Sequence, residues 1–202
     1  MAGIVHDVHV LAHPMSLDEF YATVEDVSVE LVDGIPIVNP PPSYDHQVTL
    51  GALYRTLADA APADFIAHLS PFDWVIASGD RPTVRQPDLM VLLRADTVGI
   101  GSQHNITSPP AIAVEILSPS SHERDLVTKR REYAAAGAEH YWIVDPHRRE
   151  IVLLELRDGE YVEAHRMSGA ALDVTEPFPA RLDPDIIFRD VTPRGADVTA
   201  TV

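Results

Sequence analysis

The sequence predicts a single α/β domain built on a mixed central sheet with helices on its flanks. Three observations carry that prediction. Segments with helical spacing are interspersed with short strand-like segments, the pattern of α/β folds. Residues 111–117 are apolar almost throughout, as expected of a central strand covered on both faces. A length of 202 residues, 46% of them hydrophobic, suffices for one domain of ordinary size with a substantial core. The expected bounds are an N-terminal extension over 1–15, the domain over 16–190 and a tail over 191–202, frayed from Thr192 onward.

The elements follow in order. Ser16-Leu17-Asp18-Glu19 is a capping-box pattern and starts a short helix. Residues 28–32 alternate as a strand, Asp33-Gly34 is a hairpin turn, and residues 35–38 return. A Pro-rich connector, Asn39-Pro40-Pro41-Pro42, leads to a helix over 44–61, where Val48, Leu50, Leu53, Leu57 and Ala61 recur near helical spacing. Strands are expected at 65–69, 74–77 and 84–93, then at 111–117 after Ser108-Pro109-Pro110. Ser120 and Glu123 form a second capping box, and the helix they open runs to about Ala136, where Gly137 closes it. A strand at 141–144, a turn at Asp145-Pro146, a strand at 150–156 and a hairpin turn at 157–160 complete the pattern.

Composition excludes several function classes. No run of 18 or more apolar residues suggests a membrane span, and residues 1–11 lack the basic start and long apolar block of a secretion signal. The absence of cysteine removes disulfides, thiolate zinc sites and cysteine nucleophiles, and is compatible with a reducing cytoplasm. The ten histidines form no His-Glu-x-x-His zinc pattern. A net charge of −16 opposes tight nucleic-acid binding by the molecule as a whole, because phosphate contacts need Lys and Arg. Arg124, Lys129, Arg130 and Arg131 nonetheless form a local basic strip in the sequence.

Glu115 interrupts the most apolar run of the chain, and a carboxylate in a buried strand is costly unless paired, protonated or metal-bound. Asp88 heads a second apolar run, Leu89-Met90-Val91-Leu92-Leu93. If the two strands are neighbours, both acids converge on one point, and two hard oxygen donors suit Mg²⁺ or Mn²⁺. Such an ion activates water and neutralises phosphate charge. Lys129 lies one turn after Asp125, at the edge of a stripe of Leu126, Tyr133 and Ala134, within reach of the acids. Simpler assignments stand beside these: Asp88 as a turn cap, Glu115 as a core acid bonded to an Arg or Tyr, Asp125 and Lys129 as a surface pair. His46 reads either as a neighbour of a metal or phosphate or as a structural hydrogen-bonding residue. Trp142 reads as core, and Ser118, Ser120 and Ser121 read as helix caps, with no nucleophile elbow around them.

Taken together, Glu30-Leu31-Val32-Asp33-Gly34, His46, Pro87-Asp88-Leu89-Met90-Val91, Val114-Glu115-Ile116-Leu117-Ser118-Pro119-Ser120-Ser121, Asp125, Lys129, Tyr133, Gly137 and Tyr141-Trp142-Ile143-Val144-Asp145-Pro146 resemble the Uma-two family of PD-(D/E)xK proteins. The resemblance runs over residues 16–188 and implies a restriction-endonuclease-like fold. It implies that Asp88 and Glu115 are the two acids of the motif, that the main-chain carbonyl of Ile116 is a further metal ligand, and that Glu30 is an N-terminal glutamate completing the site. The chain departs from the parent motif at Leu117, where the lysine is expected, and Lys129 stands as a migrated replacement.

A metal-dependent nuclease acting on DNA is the leading functional expectation. A non-catalytic binding or regulatory module that keeps the fold is the alternative, favoured by Leu117 and the net charge of −16. A carboxylate-pair glycosidase is permitted by two acids alone but receives no support from the resemblance. Val152, Leu154 and Leu156 offer apolar strand edges for pairing with a second copy across a two-fold axis, giving a homodimer.

Overall fold

A computed structural model describes residues 14–24, 28–100, 105–118 and 124–193, with the side chains of residues 124 and 125 excepted. The elements in chain order are α1 (Leu17–Thr23), β1 (Val29–Val32), β2 (Ile35–Val38), α2 (Tyr44–Ala60), β3 (Phe65–Leu69), β4 (Asp73–Ala77), β5 (Thr83–Arg85), β6 (Leu89–Leu93), β7 (Asn105–Ile106) and β8 (Ile112–Ile116). A π-helical turn (Arg124–Lys129) then leads into α3 (Arg130–Ala135), followed by β9 (His140–Asp145), β10 (Glu150–Arg157), β11 (Glu160–Met167), β12 (Leu172–Val174), β13 (Ala180–Leu182) and α4 (Pro184–Ile187). Among the described residues no helix is long and apolar enough to cross a membrane.

Two sheets organise the molecule. The larger has six strands in the order β11-β10-β9-β8-β6-β3, and the smaller has five in the order β2-β1-β5-β4-β7. The larger sheet is mixed: β8 and β9 run parallel, joined through the π turn and α3, while its other pairs are antiparallel. Strand β8 is central, and its alternation divides two cores. Ile112, Val114 and Ile116 face α2, β13 and α4, whereas Ala113 and Leu117 face Trp74 of the smaller sheet and Tyr133 of α3. Helix α2 buries Leu50, Leu53 and Leu57 against the first of these cores, each such side chain contributing about 2 kcal/mol.

Local chemistry explains the boundaries. Ser16 and Glu19 make the expected capping box, with the Glu19 N–H donating to Ser16 Oγ at 3.2 Å and the Ser16 N–H donating back to the Glu19 carboxylate at 2.9 Å. Replacing Ser16 by alanine is expected to cost about 1 kcal/mol, read as a lower urea midpoint at unchanged slope. The first hairpin turns on Asp33 and Gly34, both with positive φ (51° and 78°) as a type I′ turn requires. A Cβ on Gly34 would lie 2.4 Å from Pro14 Cβ, so the position also has no room for a side chain. The turn at Asp158-Gly159 repeats the positive-φ pair between β10 and β11.

Several expectations change in detail. The single strand expected over 84–93 is two strands, β5 in the smaller sheet and β6 in the larger. Pro87, with no N–H to give a ladder, stands at the break, which sets Arg85, Gln86 and Asp88 at the junction of the sheets. The capping box at Ser120 and Glu123 lies outside the described residues. Met15, assigned to the extension, packs with Phe20 and Leu31. Val191 is buried in the main core, and the Thr192 N–H donates to Asp45 at 2.9 Å, so the packed body continues through Thr192. Strand β10 presents no free edge, because β9 and β11 flank it, and Val152 and Leu154 are buried. The outer strand is β11, whose Glu160, Glu163, His165 and Arg166 are exposed.

Candidate functional site

Leu89 of β6 pairs with Val114 of β8 in antiparallel register, and one step further along that register Asp88 stands across from Glu115. Met90 and Ala113, the next pair, both face the core beneath the smaller sheet. Side chains alternate along a strand, so Glu115 points to that face, while Asp88 lies just before β6 on the adjacent strand.

The two acids are held differently. Asp88 Oδ2 accepts the Ile116 N–H at 2.7 Å and lies 3.2 Å from His46 Nε2, at the N-terminal end of α2. Glu115 is buried, and its Oε1 accepts from Lys129 Nζ at 2.7 Å and from the Tyr133 hydroxyl at 2.6 Å. Lys129 closes the π turn and Tyr133 sits four residues on in α3, so both aim at one oxygen. Burial, then the charges of Glu115 and Glu30, push the Tyr133 hydroxyl well above its ordinary pKa, so it stays protonated as a donor. Its ring is wedged between Trp74, at 5.1 Å, and Tyr141, at 5.2 Å.

Behind Lys129 lies a second acid. Glu30, on β1, is fully buried; its Oε1 is 3.5 Å from Lys129 Nζ and accepts the Gln86 N–H at 3.0 Å, while Oε2 accepts from Arg85 at 3.0 Å. Arg85 also grips Glu132 of α3 with two parallel bonds of 2.8 Å. Burial works against its charge, but the bonds to Glu132 and the negative charge of Glu30 outweigh burial and hold the guanidinium above its ordinary pKa. Further out, the Gln86 side chain donates to Asp73 at 2.7 Å.

The family model Uma2, described as "Putative restriction endonuclease", matches residues 17–186. The chain belongs to the Uma2 family. The Uma2 protein is also similar to a crystal structure at 1.96 Å described as "a putative nuclease belonging to DUF820 from Anabaena variabilis ATCC 29413". That match has a TM-score of 0.69 at 18% identity and covers 87% of this chain and 98% of the other. It bears on architecture, and the fold is restriction-endonuclease-like. Among curated proteins, none matches the sequence.

Of the expected site residues, Glu30, Lys129 and Glu115 are joined by ion pairs, while Asp88, before the start of β6, meets the main-chain N–H of Ile116 and the ring of His46. Among the described residues no three His, Cys, Asp or Glu side chains lie close enough together to hold a metal ion. The simple assignment of Glu115 as a core acid bonded to a tyrosine is satisfied by Tyr133. Of the basic strip, the Arg124 side chain lies outside the described residues, and the other three side chains diverge. Lys129 is buried and turned inward, and Arg130 donates to the Tyr161 carbonyl, which leaves Arg131 exposed. Leu117, at the motif's lysine position, lines a cavity of about 180 Å³ with Leu126, Ile143, Val152 and Leu154. Lys129 is the only lysine in the chain, all other basic side chains being arginine. Arg85, Gln86 and Glu132 carry no local signal that singles them out, since their partners lie far away in sequence. The one hint is a charged Arg85 beside the buried Thr83 and Val84.

Proposed function

We propose that this protein is a metal-dependent nuclease that hydrolyses phosphodiester bonds in DNA, with Asp88, Glu115 and Lys129 as its working residues. The observation that carries the proposal is that Asp88 and Glu115 stand on adjacent strands, Asp88 accepting the N–H of Ile116 beside Glu115, with the chain's single lysine 2.7 Å from Glu115. Membership of a family described as restriction endonucleases supports the same reading.

The donor set suits Mg²⁺ or Mn²⁺, which favour carboxylate, carbonyl and water oxygens and are commonly held by one or two carboxylates. Asp88, Glu115 and the Ile116 carbonyl would hold the ion. Charge supports this too. The carboxylates of Glu30, Asp88, Glu115 and Glu132 gather around Arg85, Lys129 and His46, an acidic setting in which a divalent cation is electrostatically favoured. Once bound, the ion would supply Lewis acidity and an activated water at neutral pH. The chain's own residues supply the rest. Asp88 is fixed by the Ile116 N–H, so its free oxygen direction is set. Tyr133 pins Glu115 Oε1 and keeps the carboxylate from rotating. Lys129 positions the attacking water and offsets the charge that builds on the phosphoryl oxygens. A lysine suits this task, being a compact point charge where arginine is a planar fork.

The test is cleavage of plasmid and linear DNA with Mg²⁺ or Mn²⁺, against a chelated control, alongside Mn²⁺ calorimetry. Metal-dependent cleavage is expected, and no cleavage with either ion overturns the proposal. The second reading, a binding or regulatory module that keeps the fold, is favoured by Leu117 at the motif's lysine position and by the lack of a three-ligand cluster among the described residues. It predicts no Mn²⁺ binding by an intact fold. Sedimentation of the same sample reads whether two copies associate.

A further inference from the structure

We infer that Glu30 is a positioning residue: with Arg85 it forms a buried anchor that fixes the Lys129 ammonium against Glu115, and it serves the lysine rather than the metal. The catalytic consequence rests on the nuclease proposal above; the anchor itself rests on the geometry alone.

Both oxygens of Glu30 are engaged. Oε2 accepts from Arg85 at 3.0 Å, and Oε1 accepts the Gln86 N–H at 3.0 Å while facing Lys129 Nζ at 3.5 Å. To reach a divalent ion this carboxylate would have to compete with cationic and N–H donors already seated on both oxygens, inside a fully buried environment where disturbing a paired charge is strongly disfavoured. The anchor is itself stiff. Glu132 holds Arg85 with two parallel bonds of 2.8 Å, a bidentate geometry that adds direction as well as strength. Fixation thus passes from Glu132 to Arg85, from Arg85 to Glu30, and from Glu30 to Lys129. Lysine has a flexible four-carbon stem, and a second carboxylate at 3.5 Å from its ammonium confines it beside Glu115. The smaller sheet thereby acts on the chemistry through β1 and β5 without touching the substrate.

Because Lys129 is the only lysine, labelling with an amine-reactive ester and peptide mass spectrometry report its confinement without any need for catalysis. Glu30→Gln is expected to raise Lys129 labelling about tenfold, as a local opening would. Mn²⁺ affinity should stay within about threefold, while kcat falls about 100-fold with KM little changed, the signature of a group that acts only on the transition state. Unchanged labelling overturns the anchor. A loss of Mn²⁺ affinity of about tenfold or more also overturns it, because that is the size of effect expected when metal coordination is disturbed. If the parent protein cleaves nothing, the nuclease proposal fails, and the labelling result still decides the anchor. Should the glutamine variant fail to fold, Glu30→Asp keeps the charge beside Arg85 but draws it back from Lys129, and the same pattern is expected.

Discussion

Glu115→Gln and Asp88→Asn are each expected to abolish metal-dependent cleavage, with losses beyond about 100-fold, since residues merely supporting metal ligands already cost 10–100-fold when changed. The two substitutions preserve shape. A glutamine at 115 still accepts from Tyr133 but loses its charge towards both Lys129 and a divalent ion. An asparagine at 88 still accepts the Ile116 N–H through its carbonyl oxygen. Loss of activity by variants that remain folded at the assay temperature assigns the chemistry to these oxygens. Activity equal to that of the parent protein in both variants removes them from the mechanism.

Arg85→Leu is expected to be the most damaging single change to stability, at about 3–5 kcal/mol, because it removes one partner of a buried ion pair and leaves the other uncompensated. Glu30 would remain fully buried without its guanidinium partner, while Glu132 is partly exposed and can turn to water. For a chain of this size the change corresponds to a fall in melting temperature on the order of 10 °C. Adding Glu30→Leu should recover a good part of the loss, since replacing both members of a buried pair by apolar groups is often neutral or better. A single variant that melts within a degree or two of the parent protein would show that Arg85 contributes little to holding the sheets together.

The fold was legible because its strongest signals are local. The apolar run around Glu115 can only be a covered strand, Asp33-Gly34 can hardly be anything but a tight turn, and Ser16 with Glu19 marks a helix start. Asp88, Glu115 and Lys129 stand out as candidates for the same reason: charge set into apolar periodicity is an anomaly visible in a short window. Arg85 was not, because it lay inside a stretch that reads as one continuous strand, and its partners Glu30 and Glu132 are 55 and 47 residues away. The break at Pro87 decides the matter, and whether a proline ends a strand or sits at an edge depends on which neighbours compete for its flanking peptide groups. Lys129 turning inward was open for a like reason. Only the π turn fixes its direction, and six residues of sequence do not distinguish that turn from an ordinary helix.

The division of the chain into two sheets carries a consequence for ionic strength. Glu30 and Arg85 belong to one sheet and Glu115 to the other, and Lys129 rivets them from within. Dissolved salt screens exposed charges over distances of about 10 Å at 0.1 M but hardly reaches buried pairs. Brine strong enough to dissolve the exposed ion pairs, such as Arg166 with Glu163, should therefore leave this seam intact.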